Sequence, residues 1–87
     1  MKYLVIWKPE AERKLDEIWA AAADPDRIVA AATELEGRLR LDPLSEGESR
    51  DGDWRIAFEP PLGIYFQVVE PQTVRVSYVI DTQKRNR

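Results

Sequence analysis

The chemistry open to this chain rests on a small set of cations. Arg50 and Arg55 bracket "RDGDWR", Arg75 lies in "TVRVSYVID", and Lys84, Arg85 and Arg87 close the chain in "QKRNR". Guanidinium and ammonium groups hold anions, above all phosphate, and stabilise charge that develops on it. The 87 residues include no histidine and no cysteine. The usual general base near neutral pH, the thiolate nucleophile and the commonest metal ligands are therefore missing. Tyr65, Glu48 and Asp81 are among the groups that could move a proton instead. "SEGE" at 45–48 has the spacing of neither a phosphate loop nor a calcium loop. No metal and no cofactor is expected.

Composition bounds what these cations can do. With 44% apolar and 33% charged residues, the chain reads as one globular domain with a modest core. Sixteen acids against 13 bases give a net charge of −3, whereas autonomous nucleic-acid-binding domains are usually basic. The excess is uneven. Residues 1–48 hold 7 bases and 11 acids, and residues 49–87 hold 6 bases and 5 acids, so an anion site is expected in the second half. The apolar run at the start, Tyr3 to Trp7, is far shorter than the ~20 residues of a membrane span and shorter than the core of a secretory leader. No membrane association is expected, and the location expected is the cytoplasm.

The elements that must position these residues follow from periodicity. "KYLVIW" is β-branched and aromatic and apolar in both phases, which predicts a strand covered on both sides. Pro9 opens a helix, in which Ala11, Leu15, Ile18, Trp19 and Ala22 recur at helical spacing and Glu10 and Lys14 form an i,i+4 pair. Asp24-Pro25 ends that helix and starts another. Its inner stripe is Ile28, Ala32, Leu35 and Leu39, and Glu34–Arg38 and Glu36–Arg40 are pairs on its wet side. Gly37 sits inside this helix at a cost of up to ~1 kcal/mol against alanine; close packing against the first helix would account for it. Asp42-Pro43 stops the second helix.

After a polar loop come three strands joined by short turns at Pro60-Pro61 and Pro71-Gln72. Alternation puts Trp54, Ile56 and Phe58, then Leu62, Ile64, Phe66 and Val68, then Val74, Val76, Tyr78 and Ile80 on the inner face. The outer face then collects Arg55, Ala57, Tyr65, Gln67, Arg75, Ser77 and Asp81. The order β-α-α-β-β-β predicts an α+β domain in which a helix hairpin covers one face of a mainly antiparallel four-stranded sheet.

This order, with "WKPEAERKLDEIW", "LEGRLRLDPLSEGESR", "WRIAF" and "LGIYFQVVEPQTVRVSYVI" in succession and a basic tail, resembles the RelE/ParE toxin superfamily of type II toxin–antitoxin systems, also known as plasmid stabilisation proteins. The resemblance runs over nearly the whole chain. It implies a bacterial toxin neutralised by a cognate antitoxin whose C-terminal segment wraps around it. It implies one of two targets: mRNA in the ribosomal A site, cut by RelE-like mRNA interferases, or DNA gyrase, inhibited by ParE-like members. A catalytically degenerate member serving as a protein-binding module is the third reading. If the chain is an enzyme, the resemblance makes it an endoribonuclease.

By position, Arg55 matches the family's basic residue on the strand after the loop. Arg85 matches the arginine just past the last strand, and Lys84 is its neighbour; these three would carry catalysis. Arg50, Tyr65, Arg75 and Arg87 would hold the substrate. The sequence departs from the pattern twice: Gly63 stands where RelE-like enzymes place an arginine, and no tail tyrosine follows. The residues also have plainer roles. Arg55 is equally an outward residue paired with Glu59 or Asp53, and Arg50 can orient the loop through Glu46 or Glu48. Trp7, Trp19 and Trp54 are most simply core residues. Tyr65 falls on the polar face, where a base could stack.

Overall fold

Two prolines and one Asp-Pro step set the helical layer. The computed structural model describes residues 2–50 and 52–83. Strand β1 (Leu4–Trp7) leads into helix α1 (Pro9–Ala21), and helix α2 follows (Pro25–Leu41). Each helix opens on a proline, which fits the first turn because the missing N–H has no intrahelical partner there. Past α2, Pro43–Ser45 forms a single 3₁₀ turn, and then come strands β2 (Glu48–Ser49), β3 (Trp54–Glu59), β4 (Leu62–Val69) and β5 (Thr73–Asp81).

The sheet has five strands in the order β1-β5-β4-β3-β2. β5–β4, β4–β3 and β3–β2 are antiparallel, and β1 runs parallel to β5. The expectation of four strands misses β2, whose two residues carry no alternation to read. The α+β class and the single helical layer agree with the expectation.

The helices cover one face. Ala11 and Ile18 of α1 and Ile28, Ala31, Leu35 and Leu39 of α2 pack on Ala57, Leu62, Ile64, Phe66, Val74, Val76 and Val79. Leu35, Leu39, Leu62, Ile64 and Phe66 have no accessible surface, and burying such a side chain contributes about 1.5–3 kcal/mol. The stripe of α2 holds, with Ala31 deeper than Ala32. Glu36 and Arg40 pair at 2.6 Å. Arg38, by contrast, leaves Glu34 and reaches back over the sheet. The space around Gly37 is open, with nothing within 4 Å of where a Cβ would stand, so close helix packing does not explain that glycine.

Three facing expectations are overturned. Residues opposite each other in an antiparallel ladder share a face. Ala57 opposes Ile64 and Glu59 opposes Leu62, so Arg55, Ala57 and Glu59 are on the helix side and Trp54, Ile56 and Phe58 on the open side. In β5 the phase changes midway. Phe66 pairs with Val76 but Tyr65 with Tyr78, which leaves Ser77 as the extra residue of a β-bulge. Beyond the bulge Val79 enters the core, while Tyr78 and Ile80 turn outward. Finally, β1 is an edge strand covered on one side only: Leu4 is 62% exposed, and Val5 and Trp7 pack against the core. Among the tryptophans, Trp7 is half-buried and donates Nε1–H to Glu36 Oε1 at 3.0 Å, Trp54 is half-buried on the open face, and Trp19 is exposed.

Candidate functional site

The open face is where the sheet meets solvent, and its chemistry is set by those phase changes. Beside the Arg75–Gln67 pair it presents Leu4 and Ile6 from β1, Tyr78 and Ile80 from β5, Tyr65 from β4, and Trp54 and Phe58 from β3, while Ile56 on the same side is buried. Trp54 and Tyr78 lie with ring centroids 5.8 Å apart and planes tilted by 38°. Tyr65 meets Tyr78 edge-on, at 6.3 Å and 83°. Aromatic pairs at such separations favour these offset and T-shaped arrangements. A shallow cleft of about 1070 Å³ runs along this cluster, with Arg50 and Lys14 among its lining residues.

Loop 42–50 frames the cleft, and two arginines hold it. Arg38 donates from Nε to Glu46 at 3.0 Å, from Nη1 to Glu59 at 2.8 Å, and from Nη2 to the Phe58 carbonyl at 3.0 Å. One guanidinium thus joins α2, the loop and β3. Arg55 donates from Nε to the Glu46 carbonyl at 3.1 Å and from Nη1 to Ser49 Oγ at 3.0 Å. Its side chain is on the helix side of the sheet, engaged by the loop rather than by Glu59 or Asp53. Gly47, at φ 68°, lets the loop come down onto β3.

The expected site residues are therefore only partly brought together. Arg50 reaches Glu48 at 3.2 Å in an exposed ion pair, and its backbone N–H donates to the Trp54 carbonyl. Tyr65 lies half-buried in the aromatic cluster. Arg75 is exposed on the open face and donates to Gln67 Oε1 at 3.1 Å. Arg55 is on the opposite face from Arg50's cleft neighbours Trp54, Tyr65 and Tyr78. Lys84, Arg85 and Arg87 lie outside the described residues. At Gly63, a Cβ would stand 2.9 Å from the Phe58 ring and 3.0 Å from Ile80. The position where the resemblance expects an arginine is thus roofed by apolar side chains.

Sequence reasoning missed Trp54, Tyr78 and Lys14 as neighbours of one cleft. Their assembly depends on the β3 phase and the Ser77 bulge. Among the described residues no group of three His, Cys, Asp or Glu side chains could hold a metal ion, and no helix is long and apolar enough to cross a membrane.

No protein-family model and no curated protein matches the sequence. Among solved structures the chain is similar to a chain of the toxin–antitoxin complex RelBE2 from Mycobacterium tuberculosis. The TM-score is 0.73 at 23% identity, over 93% of this chain and 99% of that one. The likeness establishes a shared fold, which is the fold the sequence resemblance implied.

Proposed function

We propose that this chain is the toxin of a type II toxin–antitoxin system, held inactive by a cognate antitoxin and acting in the bacterial cytoplasm. The observation that carries the reading is the fold: the shared architecture takes in 99% of a chain from a toxin–antitoxin complex. A second feature supports a binding role. Much of the open face is apolar and aromatic, with Leu4, Ile6, Phe58, Tyr78 and Ile80 exposed, and exposed apolar patches mark interaction surfaces.

The leading activity is ribosome-dependent mRNA cleavage, in which Arg50, Arg75, Lys84, Arg85 and Arg87 would surround the phosphate and Tyr65 would contact a base. In this form of the reading Arg55 contributes by fixing loop 46–49, because its donors are already engaged there. Inhibition of DNA gyrase by a ParE-like mode is the second reading. It is favoured by the apolar cover over Gly63 and by Arg55 facing the helices, both of which thin the cationic surface that phosphate chemistry needs.

Induced expression in a bacterial host decides among these. The toxin reading expects growth arrest that is relieved by co-expressing the antitoxin from a neighbouring gene. Mapped cuts in translated mRNA would select the ribonuclease. DNA-damage signalling with intact mRNA would select the gyrase inhibitor. Unimpaired growth would leave a protein-binding module and refute the toxin reading.

A further inference from the structure

The helical layer carries a second groove, which shares no lining residue with the aromatic cleft. It runs between α1 and α2 and has a volume of about 710 Å³. Trp7 at the end of β1, Leu15 and Trp19 of α1, and Ile28, Val29 and Ala32 of α2 supply its apolar lining. Along α2 it reaches from Ile28 to Arg40, about 18 Å at about 1.5 Å per helical residue. The chain does not close it: Trp19 is 48% and Val29 52% exposed. An exposed tryptophan in a concave apolar patch is the kind of anchor that interfaces use.

The walls of the groove are acidic. Glu12 and Asp16, one turn apart on α1, line it and enter no ion pair among the described residues. Glu36, the third carboxylate, has both oxygens engaged, Oε1 by the Trp7 indole N–H and Oε2 by Arg40. Arg40 is the single cation lining the groove among the described residues, and that pair neutralises it.

We infer that this groove docks a basic amphipathic helix of a partner protein, its apolar stripe lying between Trp7 and Trp19 and its lysines or arginines meeting Glu12 and Asp16. The helical form follows from the walls. Backbone groups of α1 and α2 are bonded within each helix, so an extended segment lying between them finds no strand edge to pair with, whereas a helix satisfies its own backbone. The basic character follows from the free carboxylates, since opposite charge steers encounter and like charge rejects a partner. A second copy of this chain would bring the same carboxylates to the contact and carries a net charge of −3, which disfavours self-docking. The inference goes beyond the toxin reading and does not rest on it.

Heteronuclear NMR of the full chain tests it, because the three indole N–H signals divide between the two surfaces: Trp7 and Trp19 report the groove, and Trp54 the open face. The probe is a helical peptide of about 14 residues, long enough to follow the groove, with leucine along one face and lysine on both flanks. The same peptide with glutamate in place of lysine is the control. The lysine peptide should shift Trp7 and Trp19, leave Trp54 in place, and bind more weakly as salt is added. The glutamate peptide should bind at least about tenfold more weakly. Trp19→Ala should weaken the lysine peptide by about fivefold or more. Reversing both exposed carboxylates, Glu12→Lys with Asp16→Lys, should invert the preference without disturbing the core.

No shift at Trp7 and Trp19, equal affinity for the two peptides, or a charge-reversed variant that still prefers lysine would overturn the proposal. So would dimerisation that requires Trp19 and excludes the peptide, an outcome that gives the groove to a second copy. Each of these results leaves the toxin reading standing, since growth arrest is measured separately.

Discussion

Gly47→Ala isolates the contact that seats the loop on the sheet. Gly47 has φ 68°, and a Cβ there would overlap the Ile56 carbonyl oxygen, 2.7 Å from its carbon and 3.1 Å from Ala57 Cα. These are backbone atoms of β3, which is held on its other side by the six-residue register with β4, so the loop must move rather than the strand. Moving it breaks the β2–β3 pairing of Glu48 with Ile56 and Ser49 with Arg55. It also costs the Arg55 bonds to Glu46 and Ser49 and the Arg50 bond to Trp54. Three such bonds at about 0.5–1.5 kcal/mol net each give about 1.5–4.5 kcal/mol. Detachment relieves the left-handed strain of alanine, so that strain does not add to the total. For a domain of this size, at about 4–8 °C per kcal/mol, the loss corresponds to a fall in Tm of roughly 6–36 °C. Gly52→Ala is the control: φ is 65° there, but nothing lies within 4 Å of the new Cβ, so only the left-handed penalty of about 1–2 kcal/mol applies. Thermal and urea denaturation followed by circular dichroism compare the two. If Gly47→Ala costs no more than Gly52→Ala, the loop is not seated as described.

Other substitutions probe the remaining layers. Gly37→Ala adds a methyl to a helix interior with open space around it, and should stabilise the chain by about 0.5–1 kcal/mol in the same denaturation assay. Phe66→Ala empties a site with no accessible surface at the middle of β4, and should cost about 3–5 kcal/mol. Arg38→Ala leaves Glu46, Glu59 and the Phe58 carbonyl without their shared donor. The pairs are about a quarter to two-fifths exposed, so the loss should be only about 1–2 kcal/mol by urea midpoint, between exposed and buried pairs. Arg38→Lys should recover little of it, because one ammonium cannot reproduce the three-way fork. Arg55→Ala, read by induced expression, should lower any growth inhibition together with stability, since it releases the Glu46–Ser49 loop.

The helical layer was legible because its signals are local. Pro9 and Pro25 mark first turns, Asp42-Pro43 marks a stop, and the stripe of Ile28, Leu35 and Leu39 repeats at the helical period whatever lies across from it. The β4 face was legible for a similar reason: Leu62, Ile64 and Phe66 are large and apolar, and their alternates include a glycine and a glutamine. β3 offers no such asymmetry. Trp54, Ile56 and Phe58 look like the inner set, yet the smaller Ala57 is the residue the core accepts. α2 crosses close to that strand, and Arg38 occupies the space beside Glu59.

The sequence by itself determined the order of the elements apart from β2, where both helices start and where the second stops, and most of the apolar residues that fill the core, because those follow from propensity and period along a few consecutive residues. Only the tertiary structure decided which phase of β3 faces the helices, where β5 slips by one residue at Ser77, and that Arg55 serves the loop while Trp54, Tyr65 and Tyr78 share a cleft. A strand's alternation has two phases of similar local energy, and a bulge inverts the phase without a marker of its own. The choice is made by pairing partners and packing volumes contributed from far along the chain.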